Sequence, residues 1–194
     1  MPSSNRSSPK AKAAPRSARP ATRKPESTAA RAPAPNARTG RKVALDKKVP
    51  AFALPATGGK TWKLADAAGK KLVVYFYPRD NTPGCTREGE AFRDLYPAFK
   101  RAGTLVVGIS PDSIKSHEKF REAFAFPFDL LSDETRAVCE LFDVIKEKSL
   151  YGRKYMGVER STFLIDERGV LRREWRKVKV PGHAEEVLAA AKAL

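Results

Sequence analysis

The stretch Leu72–Tyr77 (LVVYFY), followed without a break by Pro78–Thr86 (PRDNTPGCT), decides the fold of this 194-residue chain. The first part is a continuous run of β-branched, aliphatic and aromatic residues, which is typical of a central strand buried on both faces. The second part begins as a loop rich in Pro, Asn and Gly. Thr82 and Pro83 then suit the N-cap and the first position of a helix. The segment therefore predicts a strand, a loop and a helix with Cys85 in its first turn.

Downstream of this segment the hydrophobic pattern alternates between helix and strand. Phe92, Leu95, Tyr96 and Phe99 recur at helical spacing, and Pro97 should kink that helix. The pattern then predicts a strand, a helix, a strand, a helix, a hairpin and a final helix: Thr104–Ser110, Ser113–Ala125, Asp129–Leu131, Thr135–Ile145, Ser161–Asp166 with Val170–Lys177, and His183–Leu194. This order predicts the α/β class, as a thioredoxin-like three-layer sandwich with a central mixed sheet.

The N-terminal region differs from the rest of the chain in composition. The chain carries 38 Lys and Arg against 22 Asp and Glu, a net charge of +16, and residues 1–48 hold 13 of the basic side chains with only two acids. The first 40 positions contain seven prolines and no aromatic residue. Such a segment cannot bury enough apolar surface to offset the entropy cost of ordering. We therefore expect a disordered basic tail at 1–44 and one folded domain at 45–194.

Three functions stay open for this tail. It is a solvated extension that keeps the protein soluble, a weak contact for nucleic acid or another anionic surface through its Lys and Arg side chains, or an organelle transit peptide, since it is rich in Arg and Ser. A nucleic-acid-associated protein, in which the tail carries the main function, is therefore the second hypothesis beside an enzyme.

The composition also argues against several classes of protein. No segment approaches the roughly 18–20 consecutive apolar residues of a membrane span, and no apolar stretch follows the basic N terminus as in a secretory signal. The two cysteines lie 54 positions apart, which excludes a disulfide scaffold and a Cys-x-x-Cys pair. Neither histidine lies at metal-ligand spacing from a cysteine. We expect no membrane contact, no metal and no cofactor, in a reducing, cytoplasmic compartment.

Cys85 is the first candidate for a catalytic residue. The free backbone N–H groups and the dipole of a helix N terminus favour an anion, here a thiolate. The local pattern leaves a second interpretation open, since a lone cysteine is often a small buried hydrophobic residue. Glu88 stands where a Cys-x-x-Cys motif would have its second thiol, which argues against disulfide exchange of the thioredoxin kind.

The segment PRDNTPGCT, followed far downstream by YGRKYMGVERSTFLID at 151–166, resembles the peroxiredoxins. It is most similar to the class called peroxiredoxin Q or bacterioferritin comigratory protein, and the resemblance covers about 46–194. It implies a thioredoxin-like fold and a thiol-dependent peroxidase that reduces hydrogen peroxide and organic hydroperoxides in antioxidant defence and cell redox homeostasis. It also favours a monomer over a ring.

The resemblance also implies roles for five residues. Cys85 is similar to the peroxidatic cysteine, which peroxide oxidises to a sulfenic acid. Thr82 is similar to the hydroxyl that contacts peroxide, and Arg160 to the guanidinium that pairs with the thiolate. Pro78 is similar to the proline that shields the thiolate, and Glu88 to the carboxylate that orients the arginine.

The chemistry explains why a cation is needed beside the helix. A cysteine thiol of ordinary acidity is only about 3% thiolate at pH 7, and a helix N terminus contributes about 0.3–2 kcal/mol toward the anion. A guanidinium such as that of Arg160 would supply the rest of the stabilisation that the thiolate needs. Full ionisation raises the reactive fraction only about thirty-fold. Most of the acceleration therefore has to come from donors that stabilise the transition state.

Recycling of a sulfenic acid needs a thiol. The positions where many relatives carry a resolving cysteine hold none here: Glu90 occupies one, and the predicted helix Ser113–Ala125 has no cysteine. Cys139 remains, on the predicted helix Thr135–Ile145, and two interpretations stay open for it. It is a buried structural residue, or a resolving thiol that reaches Cys85 after local unfolding. We favour a one-cysteine mechanism in which thioredoxin, glutaredoxin or a small thiol is the reductant.

Overall fold

The computed structural model describes residues 42–150 and 152–194. Residues 1–41 of the tail predicted at 1–44 therefore lie outside the described residues. These residues form nine strands: β1 Ala53–Ala56, β2 Lys60–Lys63, β3 Lys71–Phe76, β4 Thr104–Ser110, β5 Asp129–Ser132, β6 Ile145–Leu150, β7 Arg153–Val158, β8 Ser161–Ile165 and β9 Leu171–Trp175. The helices are α1 Pro83–Arg101, α2 Ile114–Ala123, α3 Ala137–Leu141 and α4 His183–Ala193, with a short 3₁₀ helix at Leu64–Ala67.

Seven strands form one mixed sheet in the order β2-β1-β5-β4-β3-β8-β9. Strands β3, β4 and β5 are parallel to one another, and β8 pairs antiparallel to β3, with Phe76 opposite Ser161. Strands β6 and β7 form a separate antiparallel ribbon. The carboxyl ends of parallel strands are the usual place for a site in such a sheet, and the loop from β3 to α1 starts there.

The central strand β3 is buried on both faces, as its apolar run predicts. Val73 and Tyr75 face one hydrophobic cluster, which contains residues of α1, α2 and α4. Leu72 and Val74 face a second cluster, which contains residues of α3 and the 3₁₀ helix. Helices therefore cover both faces, and the expected α/β three-layer sandwich with a central mixed sheet is confirmed.

The helix predicted at Thr135–Ile145 is wrong in extent. Helix α3 covers only Ala137–Leu141, and β6 begins at Ile145. Arg136 and Asp143 adopt left-handed backbone angles, with φ of 61° and 55°, which an α-helix cannot contain. The apolar stripe that suggested a helix is nevertheless buried, because Val138 and Phe142 both lie in the core.

The sequence pattern also missed two hairpins, β1–β2 and β6–β7. Helix α1 continues through Pro97 to Arg101. The other predicted strands and helices are present, with ends that differ by one or two residues, and the predicted turn at 167–169 joins β8 to β9. Among the helices that the structure describes, none is long and apolar enough to cross a membrane.

Candidate active site

Helix α1 places Cys85 at the third helical position, so its prediction in the first turn is confirmed. Pro83 occupies the first helical position and Thr82 the N-cap, but the Thr82 hydroxyl does not cap the helix. It donates instead to the carbonyl oxygen of Arg79, at 3.1 Å. The Cys85 side chain is buried on the α1 face of the sheet, with 2% of the residue exposed. The first turn of α1 therefore carries a sulfur that solvent barely reaches.

Arg160 lies against this sulfur although it is 75 residues away in the chain. The pairing of β8 with β3 brings the start of β8, and thus Arg160, beside the end of β3. Its Nη2 donates a hydrogen bond to the Cys85 Sγ at 3.3 Å, and its Nη1 donates to Glu88 Oε2. A Cβ atom on Gly84 would lie 3.2 Å from Nη2, so a residue without a side chain gives the guanidinium room to approach.

Burial and the ion pair set the charges of this cluster. Burial raises the pKa of Glu88 to about 7, although the charge of Arg160 opposes the shift. The second oxygen of that carboxyl group, Oε1, is buried without a hydrogen-bond partner among the described residues. Burial lowers the pKa of Arg160, but the charges of Glu88 and Cys85 outweigh it and raise the pKa above its ordinary value. The guanidinium is therefore a permanent cation held between a carboxyl group and a thiol.

Pro78 and Thr82 lie beside this cluster without joining it by a hydrogen bond. Pro78 lies two residues after the end of β3 and is half-buried, and the Thr82 hydroxyl donates to the Arg79 carbonyl oxygen. The structure therefore brings together Cys85, Arg160 and Glu88, and it leaves the other two predicted residues in the adjoining loop.

Lys148 is a charged neighbour of this site that sequence reasoning missed. Its Nζ donates to the carbonyl oxygen of Val158 at 2.5 Å. Burial and the charge of Arg160 lower the pKa of Lys148 below its ordinary value, although the charges of Glu159 and Cys85 oppose the shift. Lys148 thus lies within electrostatic range of the sulfur. No local signal identified it, because its proximity depends on the β6–β7 ribbon that the sequence pattern did not reveal.

Cys139 lies in the hydrophobic cluster on the opposite face of the sheet from Cys85. It is fully buried, and its backbone N–H donates to Asp133 Oδ2 at 2.7 Å. Burial, together with the nearby Asp133 carboxylate, raises the pKa of the Cys139 thiol far above its ordinary value. A bond between the two sulfurs would require one of them to leave its core, since disulfide Cα atoms are at most about 7 Å apart.

Within the described ranges, no group of three or more His, Cys, Asp or Glu side chains is placed to hold a metal ion. The arrangement at Cys85 instead offers one nucleophilic sulfur, a fixed cation and free backbone N–H groups at a helix start. Such a set can hold a thiolate and can donate hydrogen bonds to charge that develops on a departing oxygen.

Comparison with protein families matches residues 45–174 to the AhpC/TSA family. Peroxiredoxin Bcp of Xanthomonas campestris is 50% identical over 151 residues, which cover 77% of this chain and 94% of that protein. Peroxiredoxin Bcp of Bacillus subtilis is 47% identical over 150 residues, covering 77% of this chain and 96% of that protein.

Solved structures give the same result. The bacterioferritin comigratory protein of X. campestris, described for its alkyl peroxide reduction activity, is 51% identical and superposes with a TM-score of 0.71 over 73% of this chain and 90% of its own. A PrxQ variant from Xylella fastidiosa is 43% identical, with a TM-score of 0.75 over 79% of this chain and 98% of its own.

Proposed function

We propose that Cys85 is the residue that peroxide oxidises in this chain, which belongs to the AhpC/TSA family and is a peroxiredoxin that reduces hydroperoxides at the expense of a thiol. The observation that carries this assignment is the hydrogen bond from Arg160 Nη2 to Cys85 Sγ at 3.3 Å, in the first turn of α1. Cys139 has an anionic neighbour, and no described residue donates a hydrogen bond to its sulfur.

The first step is an attack of the Cys85 thiolate on the terminal oxygen of the hydroperoxide. The S–O bond forms while the O–O bond breaks, so sulfur is oxidised to a sulfenic acid and the leaving alkoxide or hydroxide takes a proton to become alcohol or water. Arg160 donates to the sulfur and to the developing negative charge. We assign the Thr82 hydroxyl, released from Arg79, as a second donor, Glu88 as the group that fixes the guanidinium, and Pro78 as a shield against water.

The second step needs an external thiol. A thiol attacks the sulfenic sulfur, releases water and leaves a mixed disulfide, and a second thiol then frees Cys85 and takes the disulfide away. The position of Cys139 on the other face of the sheet supports this one-cysteine sequence. Thioredoxin, glutaredoxin and small thiols remain the candidate reductants.

The setting of the enzyme is also proposed. We assign it to the cytoplasm, as a monomer whose catalytic domain is 45–194. The basic segment 1–44 gives it weak, salt-dependent contact with nucleic acid, a proposal supported by the 13 Lys and Arg against two acids in residues 1–48. In this arrangement the tail places a peroxidase near nucleic acid without taking part in the chemistry.

Intact mass spectrometry after one equivalent of hydrogen peroxide, with dimedone present, tests the assignment. We expect one dimedone adduct on the wild type and on Cys139→Ser, mapped to Cys85, and none on Cys85→Ser. Peroxide consumption should persist in Cys139→Ser and fall to the uncatalysed rate in Cys85→Ser.

Two results would contradict this scheme. Turnover retained by Cys85→Ser would remove Cys85 from the reaction. A loss of two hydrogens in the wild type, with an adduct only in Cys139→Ser, would make Cys139 the resolving thiol.

A further inference from the structure

A buried polar cluster lies behind the loop that joins β3 to α1. It consists of Tyr77, Asp80, Ser116 and His117, and is called the loop anchor below. The Asp80 carboxylate accepts hydrogen bonds from the Tyr77 hydroxyl at 2.8 Å, the Ser116 hydroxyl at 2.7 Å and His117 Nδ1 at 2.8 Å. The other ring nitrogen of His117 lies 3.1 Å from the carbonyl oxygen of Leu131. Both Asp80 and His117 are buried.

The loop anchor contains a buried carboxylate. The His117 ring lies between two oxygen atoms, with Nδ1 2.8 Å from Asp80 Oδ2 and Nε2 3.1 Å from the Leu131 carbonyl oxygen. Burial opposes ionisation of Asp80, but the hydrogen bonds from His117, Ser116 and Tyr77 lower its pKa. Taking a carboxylate out of water costs several kcal/mol, and well-packed apolar groups in its place are often at least as stable. Stability alone therefore does not explain this buried carboxylate.

The loop that the anchor holds leads directly to the site. Asp80 lies two residues before Thr82 and five before Cys85. Between them Asn81 has φ of 55°, a left-handed conformation that is uncommon outside glycine and that Asn adopts more readily than most residues. A second tie runs from the Asp80 backbone N–H to Asp112 Oδ2, at 2.8 Å. These hydrogen bonds fix the loop immediately before Thr82 and Cys85.

The two half-reactions make opposite demands on this loop. Hydrogen peroxide is small and can approach a sulfur in a narrow opening, and it reacts best when Cys85 faces Arg160. A reducing thiol on a larger molecule must bring its own sulfur to bonding distance, about 2.05 Å. With 2% of Cys85 exposed, it can do so only when the first turn of α1 moves away.

We propose that Asp80 and His117 are a positioning pair that sets the balance between a closed form, in which Cys85 reacts with peroxide, and an open form, in which its sulfur is accessible to a reducing thiol. The proposal rests on the proposed function of Cys85. Loss of the pair shifts the protein toward the open form, so oxidation by peroxide slows while attack by bulky reagents on the same sulfur becomes faster. If the pair had a purely structural role, its loss would change both rates in the same direction or would change neither rate.

The test measures both rates on reduced full-length protein. Stopped-flow mixing with hydrogen peroxide gives the oxidation rate, and a polyethylene-glycol maleimide, mapped to Cys85 by mass spectrometry, gives accessibility. For His117→Asn and Asp80→Asn we expect oxidation about ten-fold slower and labelling about ten-fold faster, equivalent to about 1.4 kcal/mol in the closed-to-open balance. The double variant should add little to the larger single effect, because the two residues act as one unit.

Matched variants separate this effect from loss of stability. Leu171→Ala removes core contacts on the Cys139 face of the sheet. It should lower the melting temperature without making oxidation slower and labelling faster at the same time. Ser116→Ala and Tyr77→Phe each remove one hydrogen bond to Asp80. They should change the two rates in the same opposite directions by a smaller factor, and they carry the test if the Asp80 and His117 variants do not fold.

Unchanged labelling in folded His117→Asn, or the same divergence in Leu171→Ala, would overturn the proposal. Labelling does not depend on peroxidase activity, so this outcome is distinct from failure of the proposed function. That failure would show as turnover in Cys85→Ser.

Discussion

Cys85 and Cys139 are the same residue type at almost the same depth, on opposite faces of one sheet, with 2% and 0% of the residue exposed. Burial alone therefore does not distinguish them. Cys85 lies beside a cation, since Nη2 of the Arg160 guanidinium is 3.3 Å from its sulfur. Cys139 lies beside an anion, the Asp133 carboxylate. The two cysteines therefore differ in the sign of one neighbouring charge and not in accessibility, and our assignment of Cys85 as the peroxide-reactive thiol rests on that difference.

The largest effect is expected when that charge is removed, because Cys85 then resembles Cys139. Arg160→Met should slow oxidation by hydrogen peroxide about 10²–10³-fold, the usual cost of losing one donor to developing charge. The stopped-flow rate at pH 7 measures it. The variant also leaves Glu88 buried without its cation, so its stability falls, and Arg160→Met with Glu88→Gln should recover stability but not the rate.

Arg176→Met is the matched control on the other face. Its guanidinium lies 4.8 Å from the centre of the Phe163 ring and donates to two carbonyl oxygens, those of Phe142 and Asp143. The oxidation rate of this variant should stay within about two-fold of the wild type. An equal loss of rate in both arginine variants would mean that the effect is general destabilisation.

His183 extends the comparison to a buried group on the Cys85 face for which no described residue supplies an ion pair. Its Nε2 lies 2.8 Å from the Thr162 hydroxyl, and burial lowers its pKa to about 4, although Glu186 opposes the shift. The unfolded chain, with an ordinary histidine pKa of about 6.5, binds more protons between these two values, so stability falls as the pH falls through this window.

Between pH 7 and pH 5 the wild type should therefore lose about 2 kcal/mol more of its free energy of unfolding than His183→Gln does. Urea denaturation at the two pH values measures the difference, and the glutamine variant is its own control for the carboxylates that both proteins share. Parallel losses in the two proteins would show that His183 is protonated as easily in the folded state as in the unfolded chain.

The smallest effect concerns the distance between Arg160 and the sulfur. Gly84→Ala adds a Cβ atom that would lie 3.2 Å from Nη2, so the guanidinium has to shift by a few tenths of an ångström. We expect a rate of oxidation about 3–10-fold lower with an unchanged fold. Arg87→Ala, on the exposed side of the same turn, should have no effect, and an unaltered rate in Gly84→Ala would mean that the guanidinium position is not critical.

Local sequence patterns predicted the position of Cys85 in its helix. They predicted little about the residues that reach the site from distant parts of the chain. Thr82 and Pro83 mark the start of α1, so the place of Cys85 at a helix N terminus could be predicted from neighbouring residues. Arg160 is remote in the sequence, and only a family resemblance connected it with Cys85. Asp80 and His117 are 37 residues apart and belong to elements whose contact no periodicity indicates.

The failure at α3 has a different physical reason. Val138, Phe142 and their apolar neighbours recur at helical spacing, and the core does bury them. The chain nevertheless turns at Arg136 and Asp143 through left-handed angles. Neither residue is glycine, so the sequence carried no sign of these turns, and tertiary packing overrode the local preference.

The pairing of β8 with β3 has a consequence for biosynthesis. As the ribosome releases the chain, Cys85 emerges 75 residues ahead of the arginine that faces it, and the two meet only when β8 has docked beside β3. In the role proposed for Cys85, a nascent or incompletely folded chain therefore lacks the cation that assists attack on peroxide. Rapid oxidation of this cysteine then begins only when folding is complete, so newly made chains are protected from the oxidant until the site has formed.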